Sequence, residues 1–138
     1  MAPLHSTINI RVRFSEVDSI NMVWHGHYPV YLEDAREEFG RQHGLSYSAY
    51  IEHNILAPIA DMHIQYKATA HVDDILAIEI TYRPCRSSKL IFDYRITRPA
   101  DGVLIATAST TQLFTDLDGN LILSTPDYIE RWRQKNGV

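Results

Sequence analysis

From Thr7 to Phe14 the chain alternates, with Ile8, Ile10, Val12 and Phe14 set against Asn9, Arg11 and Arg13. A period of two places the apolar set on one face, so the spacing predicts a half-buried strand. Ser15 to His27 follows no period and reads as an irregular polar segment with apolar islands. At Tyr28 the period changes. Tyr28, Tyr31 or Leu32, Ala35 and Phe39 recur at helical spacing and predict a helix over Tyr28 to Gly44 with one apolar stripe. Pro29 stands at the first helical position and Gly44 just past the last, as helix ends prefer. Glu33, Asp34 and Glu37 crowd its first half, which suits the positive end of the helix dipole. Glu37 and Arg41 form a favourable i,i+4 pair.

Leu45 to His53 reads as a short second helix with Ser46 as its N-cap. Alternating runs follow. Ala60, Met62, Ile64 and Tyr66 share one face, as do Leu76, Ile78, Ile80 and Tyr82, then Leu90, Phe92, Tyr94 and Ile96; the last run, Leu104 to Phe114, is rich in Ala and Thr. Asp73-Asp74, Arg86-Ser87-Ser88 and Ala100-Asp101-Gly102 are the turns between them. From Thr125-Pro126 onward the tail reads as a capped terminal helix.

One strand, one long helix and four further strands joined by short turns give an antiparallel sheet with a helix on one face, an α+β layer. The other face needs cover as well, and a second subunit is the simplest candidate. No repeat, low-complexity stretch or linker divides residues 1–138, so they are read as a single domain.

Composition narrows the function classes. Shares of 45% apolar and 22% charged residues are those of an ordinary globular chain. A net charge of −4 argues against a general nucleic-acid or anionic-membrane surface. Cys85 is the one cysteine, so no internal disulfide forms, which fits a reducing compartment. The first residues, Met1 to Ser6, show neither a basic region nor an apolar run, and no stretch approaches a membrane span. A cytoplasmic protein is the expectation.

The chemistry concentrates between Ser15 and Pro29, where Asp18, His25, Gly26 and His27 directly precede the helix. N–H groups at a helix start are unpaired and favour negative charge. Preorganised donors of this kind stabilise the oxyanion of an acyl-transfer reaction. A carboxylate a few residues upstream is placed to attack the carbonyl or to activate water; the same Asp also suits a plain turn or cap. His25 and His27 are two possible metal ligands, but His5, His43, His53, His63 and His71 are scattered without the spacing that three or four converging ligands require, so no metal is expected. Asp116-Leu117-Asp118-Gly119-Asn120 lacks the closing Glu of a calcium loop and reads as a turn. Cys85 has no Cys-His motif beside it. Tyr31, Phe39, Tyr66, Tyr82, Phe92 and Tyr94 are read chiefly as core, with an acyl pocket as a second use.

The run Asp18-x-x-x-x-Val23-Trp24-His25-Gly26-x-Tyr28, followed by Tyr31-x-Glu33-x-Ala35-Arg36, resembles the signature of the 4-hydroxybenzoyl-CoA thioesterase-like branch of hot-dog proteins, including its Tol-Pal-associated members. Tyr66, the turn Asp73-Asp74-Ile75-Leu76 and Arg86-Ser87-Ser88 extend the match across nearly the whole chain. The resemblance implies a hot-dog fold, a five-stranded antiparallel sheet wrapped around one long central helix. It implies Asp18 as catalytic carboxylate, the His25 N–H, with that of Gly26, as oxyanion donor, and the His25 side chain near the reaction centre. Tyr28, Glu33, Arg86, Ser87 and Ser88 would be substrate-binding residues, with a structural role for Tyr28 kept open. Two positions depart from the pattern: Asn21 stands where a Gly is frequent, and His27 where an Asn is usual.

The implied activity is hydrolysis of a small or medium acyl-CoA to free acid and CoA, with no cofactor beyond the coenzyme A carried by the substrate. The implied assembly is at least a homodimer, with a homotetramer as the larger form. Two alternatives stand beside it: a thioesterase acting on acyl carrier protein, and a non-catalytic module that binds acyl-CoA.

Overall fold

A computed structural model of the chain describes residues 3–138; Met1 and Ala2, which entered the reading of the N-terminus, lie outside the described residues. The first strand, β1, spans His5–Arg11. It begins earlier and stops sooner than the alternation suggests. Beyond Arg11 the chain leaves the sheet: Val12 exchanges backbone bonds with Asp73 and Asp74, and the Arg13 N–H is taken by the Glu16 carboxylate at 2.8 Å. Phe14–Glu16 winds into a 3-10 turn, and Phe14, predicted on the apolar face of the strand, is 83% exposed.

A second 3-10 turn, His25–His27, runs directly into α1, Tyr28–His43. Tyr28, Tyr31, Leu32, Ala35 and Phe39 are all buried, so the sequence stripe is the buried face. Gly44 ends the helix at φ 87°, a left-handed cap suited to glycine. Arg41 bonds chiefly to Glu38, at 2.7 Å, and only distantly to Glu37, at 4.0 Å. Helix α2, Tyr47–Glu52, starts where Ser46 caps the Ala49 N–H at 3.2 Å.

The remaining strands are β2 (Ile59–Tyr66), β3 (Ile75–Arg83), β4 (Lys89–Arg98) and β5 (Val103–Leu113); α3 (Asp127–Asn136) closes the chain. All pairings are antiparallel and the order is β1-β3-β4-β5-β2. The two strands nearest α1 in sequence therefore form opposite edges. This is the α+β hot-dog arrangement expected from the resemblance, with α1 lying against β1 and β3. Leu76, Ile78, Ile80 and Tyr82 of β3 and Leu90, Phe92, Tyr94 and Ile96 of β4 form the buried face, as their alternation predicts. Phe39 meets Phe92 edge-on at 5.0 Å. In contrast β2 is largely exposed at its edge. No helix among the described residues is long and apolar enough to cross a membrane.

Candidate active site

The loop between β1 and α1 is shaped by its own polar groups. Val17 and Val23 face each other in an antiparallel bridge, and the Asp18 N–H donates to the Met22 carbonyl at 2.8 Å. Oδ1 of Asp18 accepts the N–H groups of Ile20 (3.0 Å) and Met22 (3.1 Å). The carboxylate is thus held by one oxygen. Oδ2 has no hydrogen-bond partner among the described residues, and Asp18 is exposed. Asn21 adopts φ 58°, the left-handed conformation for which a glycine is otherwise suited, and its Oδ1 accepts the Val72 N–H at 3.1 Å. The Asn at this departure from the pattern therefore keeps the turn and adds a tie to the β2–β3 connection.

The loop ends at the start of the helix. His25 opens the second 3-10 turn, whose first N–H groups have no acceptor within it. Among the described residues no hydrogen bond from the His25 N–H is formed. The His25 carbonyl accepts the Tyr66 hydroxyl at 2.8 Å, which ties the turn to edge strand β2. The Trp24 ring reaches across Gly26: a Cβ there would lie 2.5–2.9 Å from it, so a larger residue requires the ring to move. Trp24 is 53% exposed and also contacts the His25 ring, with centroids 5.3 Å apart.

Glu16 underlies this turn. Its Oε1 accepts the Arg13 N–H and the Tyr31 hydroxyl (2.9 Å), and its Oε2 meets Nε2 of His27 at 3.0 Å. Burial, the largest single influence, pushes the Glu16 pKa up; the bonds from Arg13, Tyr31 and His27 together outweigh it and hold the carboxyl below the ordinary glutamate value. The phenol of Tyr31 is pushed above its ordinary range, first by burial and then by its bond to Glu16. His27, the second departure from the pattern, thus holds the loop through Glu16. The sequence offers no signal for this role, because Glu16 and Tyr31 are brought together only by the turn of the chain.

Tyr28 is 3% exposed and belongs to the buried stripe, its ring edge-on to Tyr31 at 5.7 Å and Tyr66 at 5.3 Å. Burial and then the neighbouring Tyr66 raise its pKa to about 12. Glu33 sits on α1, roughly 8 Å along the axis from Tyr28 at 1.5 Å per residue. It lines a cavity of about 580 Å³ with Arg36, Phe39, Leu56, Phe92 and Gln112. Arg36 is steadied there by Tyr94, whose hydroxyl accepts at 3.2 Å.

Arg86, Ser87 and Ser88 are not brought to Asp18 within one chain. They form the β3–β4 turn, whereas the Asp18 loop is tied to Ala70 and Val72, before β3 begins. The nine residues of β3 separate the two ends, about 30 Å at 3.3 Å per residue. The turn is fastened to α3, with Arg133 donating to the carbonyls of Ser87 (2.8 Å) and Lys89 (2.9 Å). Among the described residues no group of three or more His, Cys, Asp or Glu side chains is arranged to hold a metal ion.

The Asp18 carboxylate, held through Oδ1, thus lies in the loop that leads through the His25 turn to α1. Residues 12–133 match the thioesterase-like superfamily. The acyl-CoA thioester hydrolase YbgC of Escherichia coli O6:H1 is 30% identical over 95 residues, covering 69% of this chain and 71% of that protein. The 4-hydroxybenzoyl-CoA thioesterase of Pseudomonas sp. strain CBS-3 is 26% identical over 133 residues, covering 90% and 94%. A crystal structure of a hypothetical protein of Thermus thermophilus superposes with a TM-score of 0.83 at 29% identity, covering 94% of this chain and 98% of that one. With its sheet order, its helix and its matched length, this chain belongs to the thioesterase-like superfamily.

Proposed function

We propose that the chain hydrolyses small or medium acyl-CoA thioesters, with Asp18 as the reacting carboxylate. The observation that carries this is the Asp18 carboxylate itself, fixed through Oδ1 and unpartnered at Oδ2, in the loop that leads to the His25 turn. The His25 and Gly26 N–H groups receive the carbonyl oxygen as it gains charge. Oδ2 either adds to the carbonyl carbon or takes a proton from the water that does. Collapse of the tetrahedral species breaks the C–S bond and expels the CoA thiolate. Where Oδ2 has added, the acyl group remains on it as a mixed anhydride that water hydrolyses to the free acid and the restored carboxylate; where water has added, the free acid forms directly. In both routes the proton released by the water passes to the thiolate. The chemistry draws on a carboxylate and N–H donors and asks for no further cofactor. The cavity beside Glu33 and Phe39 has the volume of a small-molecule site, but Asp18, His25 and Gly26 do not line it, so within one chain it is not joined to the reacting groups.

The working unit in this reading is a homodimer at least, in the cytoplasm. The exposed edge of β2 supports it; in this reading Arg86–Ser88, at the far end of β3, would meet substrate only from another copy. Replacement Asp18→Asn keeps the Oδ1 acceptor and so the loop, and is expected to lower kcat by about 10²–10⁴-fold. The check is release of free thiol across a panel of acyl-CoA chain lengths, with circular dichroism showing the fold retained. Full activity in the variant removes Asp18 from the mechanism. Tight binding of acyl-CoA by the wild type without turnover makes the chain a binding module instead, and turnover confined to carrier-bound acyl groups makes acyl carrier protein the substrate.

A further inference from the structure

We infer that Glu16 and His27 form the strut that sets the carbonyl-binding turn of this chain, with the proton of the His27 ring held on Nε2. The inference rests on the thioester-hydrolase reading of that turn. His25 and Gly26 carry the proposed oxyanion donors, and both residues that bracket them are bound to Glu16. The Trp24 N–H donates to the Glu16 carbonyl at 3.0 Å, and the His27 ring meets the Glu16 carboxylate at 3.0 Å. The same carboxylate takes the Arg13 N–H and the Tyr31 hydroxyl, so it joins the preceding turn, the carbonyl-binding turn and the buried face of α1. Its side chain is only 11% exposed, so these bonds face little competition from water.

The proton assignment follows from donor inventory. An ionised carboxylate only accepts, so the ring nitrogen it meets must be the donor. An Asn at position 27 also supplies an N–H donor; a side chain without one leaves Glu16 with an unfilled acceptor. Glu16 and His27 are therefore positioning residues, which act on the thioester through the backbone they hold.

The test uses the full chain with Glu16→Ala, His27→Ala, the double variant and His27→Asn. Each single alanine variant is expected to lower kcat by about 10–100-fold, the scale of a small misplacement of reacting groups, with KM changed less than about threefold. The double variant should be no slower than the slower single one, because the two residues act as one unit. His27→Asn should recover about tenfold over His27→Ala. In ¹⁵N spectra of the wild type, the His27 signal, assigned by its loss in His27→Asn, should show a protonated Nε2. Losses that multiply in the double variant, a His27→Ala variant with wild-type kcat, or a bare Nε2 would each overturn the strut. If Glu16→Ala does not fold, the recovery from His27→Ala to His27→Asn and the ¹⁵N signal decide it. A wild type that cleaves no thioester fails the reading of the reaction, and the ¹⁵N signal then decides the pairing by itself.

Discussion

Asp18 draws its meaning from the geometry of its two oxygens. In sequence it is an acid in a polar loop, equally suited to a turn. In the structure one oxygen closes the turn, and the other has no hydrogen-bond partner among the described residues. A side chain at Gly26 would collide with the Trp24 ring. Gly26→Ala should displace that ring and red-shift the emission of Trp24, measured against a Trp132→Phe background, and lower kcat/KM with it. Glu16 adds a pH dependence. Its pKa is lowered in the folded chain, so its contribution to stability is present above the unfolded value, near 4.5, and is lost as the pH falls through the folded value. The difference in thermal stability between wild type and Glu16→Gln should therefore be constant near neutrality and shrink below about pH 4.5; a difference that grows on acidification contradicts this.

At the scale of elements, two glycines show how closely α1 is built into its surroundings. Gly40 lies inside the helix, where alanine is ordinarily preferred. A Cβ there would stand 2.4 Å from the Leu45 carbonyl oxygen, backbone that a rotamer change does not move. Gly40→Ala should therefore destabilise the fold, by about 1–3 kcal/mol in denaturant titrations. Gly102 has φ 71° and nothing within 4 Å of its would-be Cβ, so Gly102→Ala should cost about 1–2 kcal/mol through backbone strain, without repacking. The helix was legible from its stripe, its Pro29 start and its Gly44 stop because those signals are local. The end of β1 was not, because alternation continues through Phe14 while the bond from Arg13 to Glu16 turns the chain away from the sheet.

At the scale of the whole molecule, the sheet order places β2 at an open edge beside the site, and the Tyr66 hydroxyl on that strand anchors the carbonyl of His25. The His25 turn and the edge strand are thus joined. Sedimentation of the chain of 15.9 kDa is expected to give a species of twice that mass or more. Specific activity should fall on dilution through its dissociation range; a monomer active at full specific rate contradicts that assembly.

The sequence by itself determined the order of the strands and longer helices, the α+β class, and the buried faces of α1, β3 and β4. These depend on periodicity, on helix-end chemistry and on motif order, all written along the chain. Tertiary structure decided which oxygen of Asp18 is left unpartnered, that Glu16, His27 and Tyr31 form one network, and that Arg86–Ser88 stand at the far end of β3 from the Asp18 loop. Those facts depend on distances between residues that only the folding of the loop and the pairing of β1 with β3 bring together or hold apart, and no spacing in the sequence encodes them.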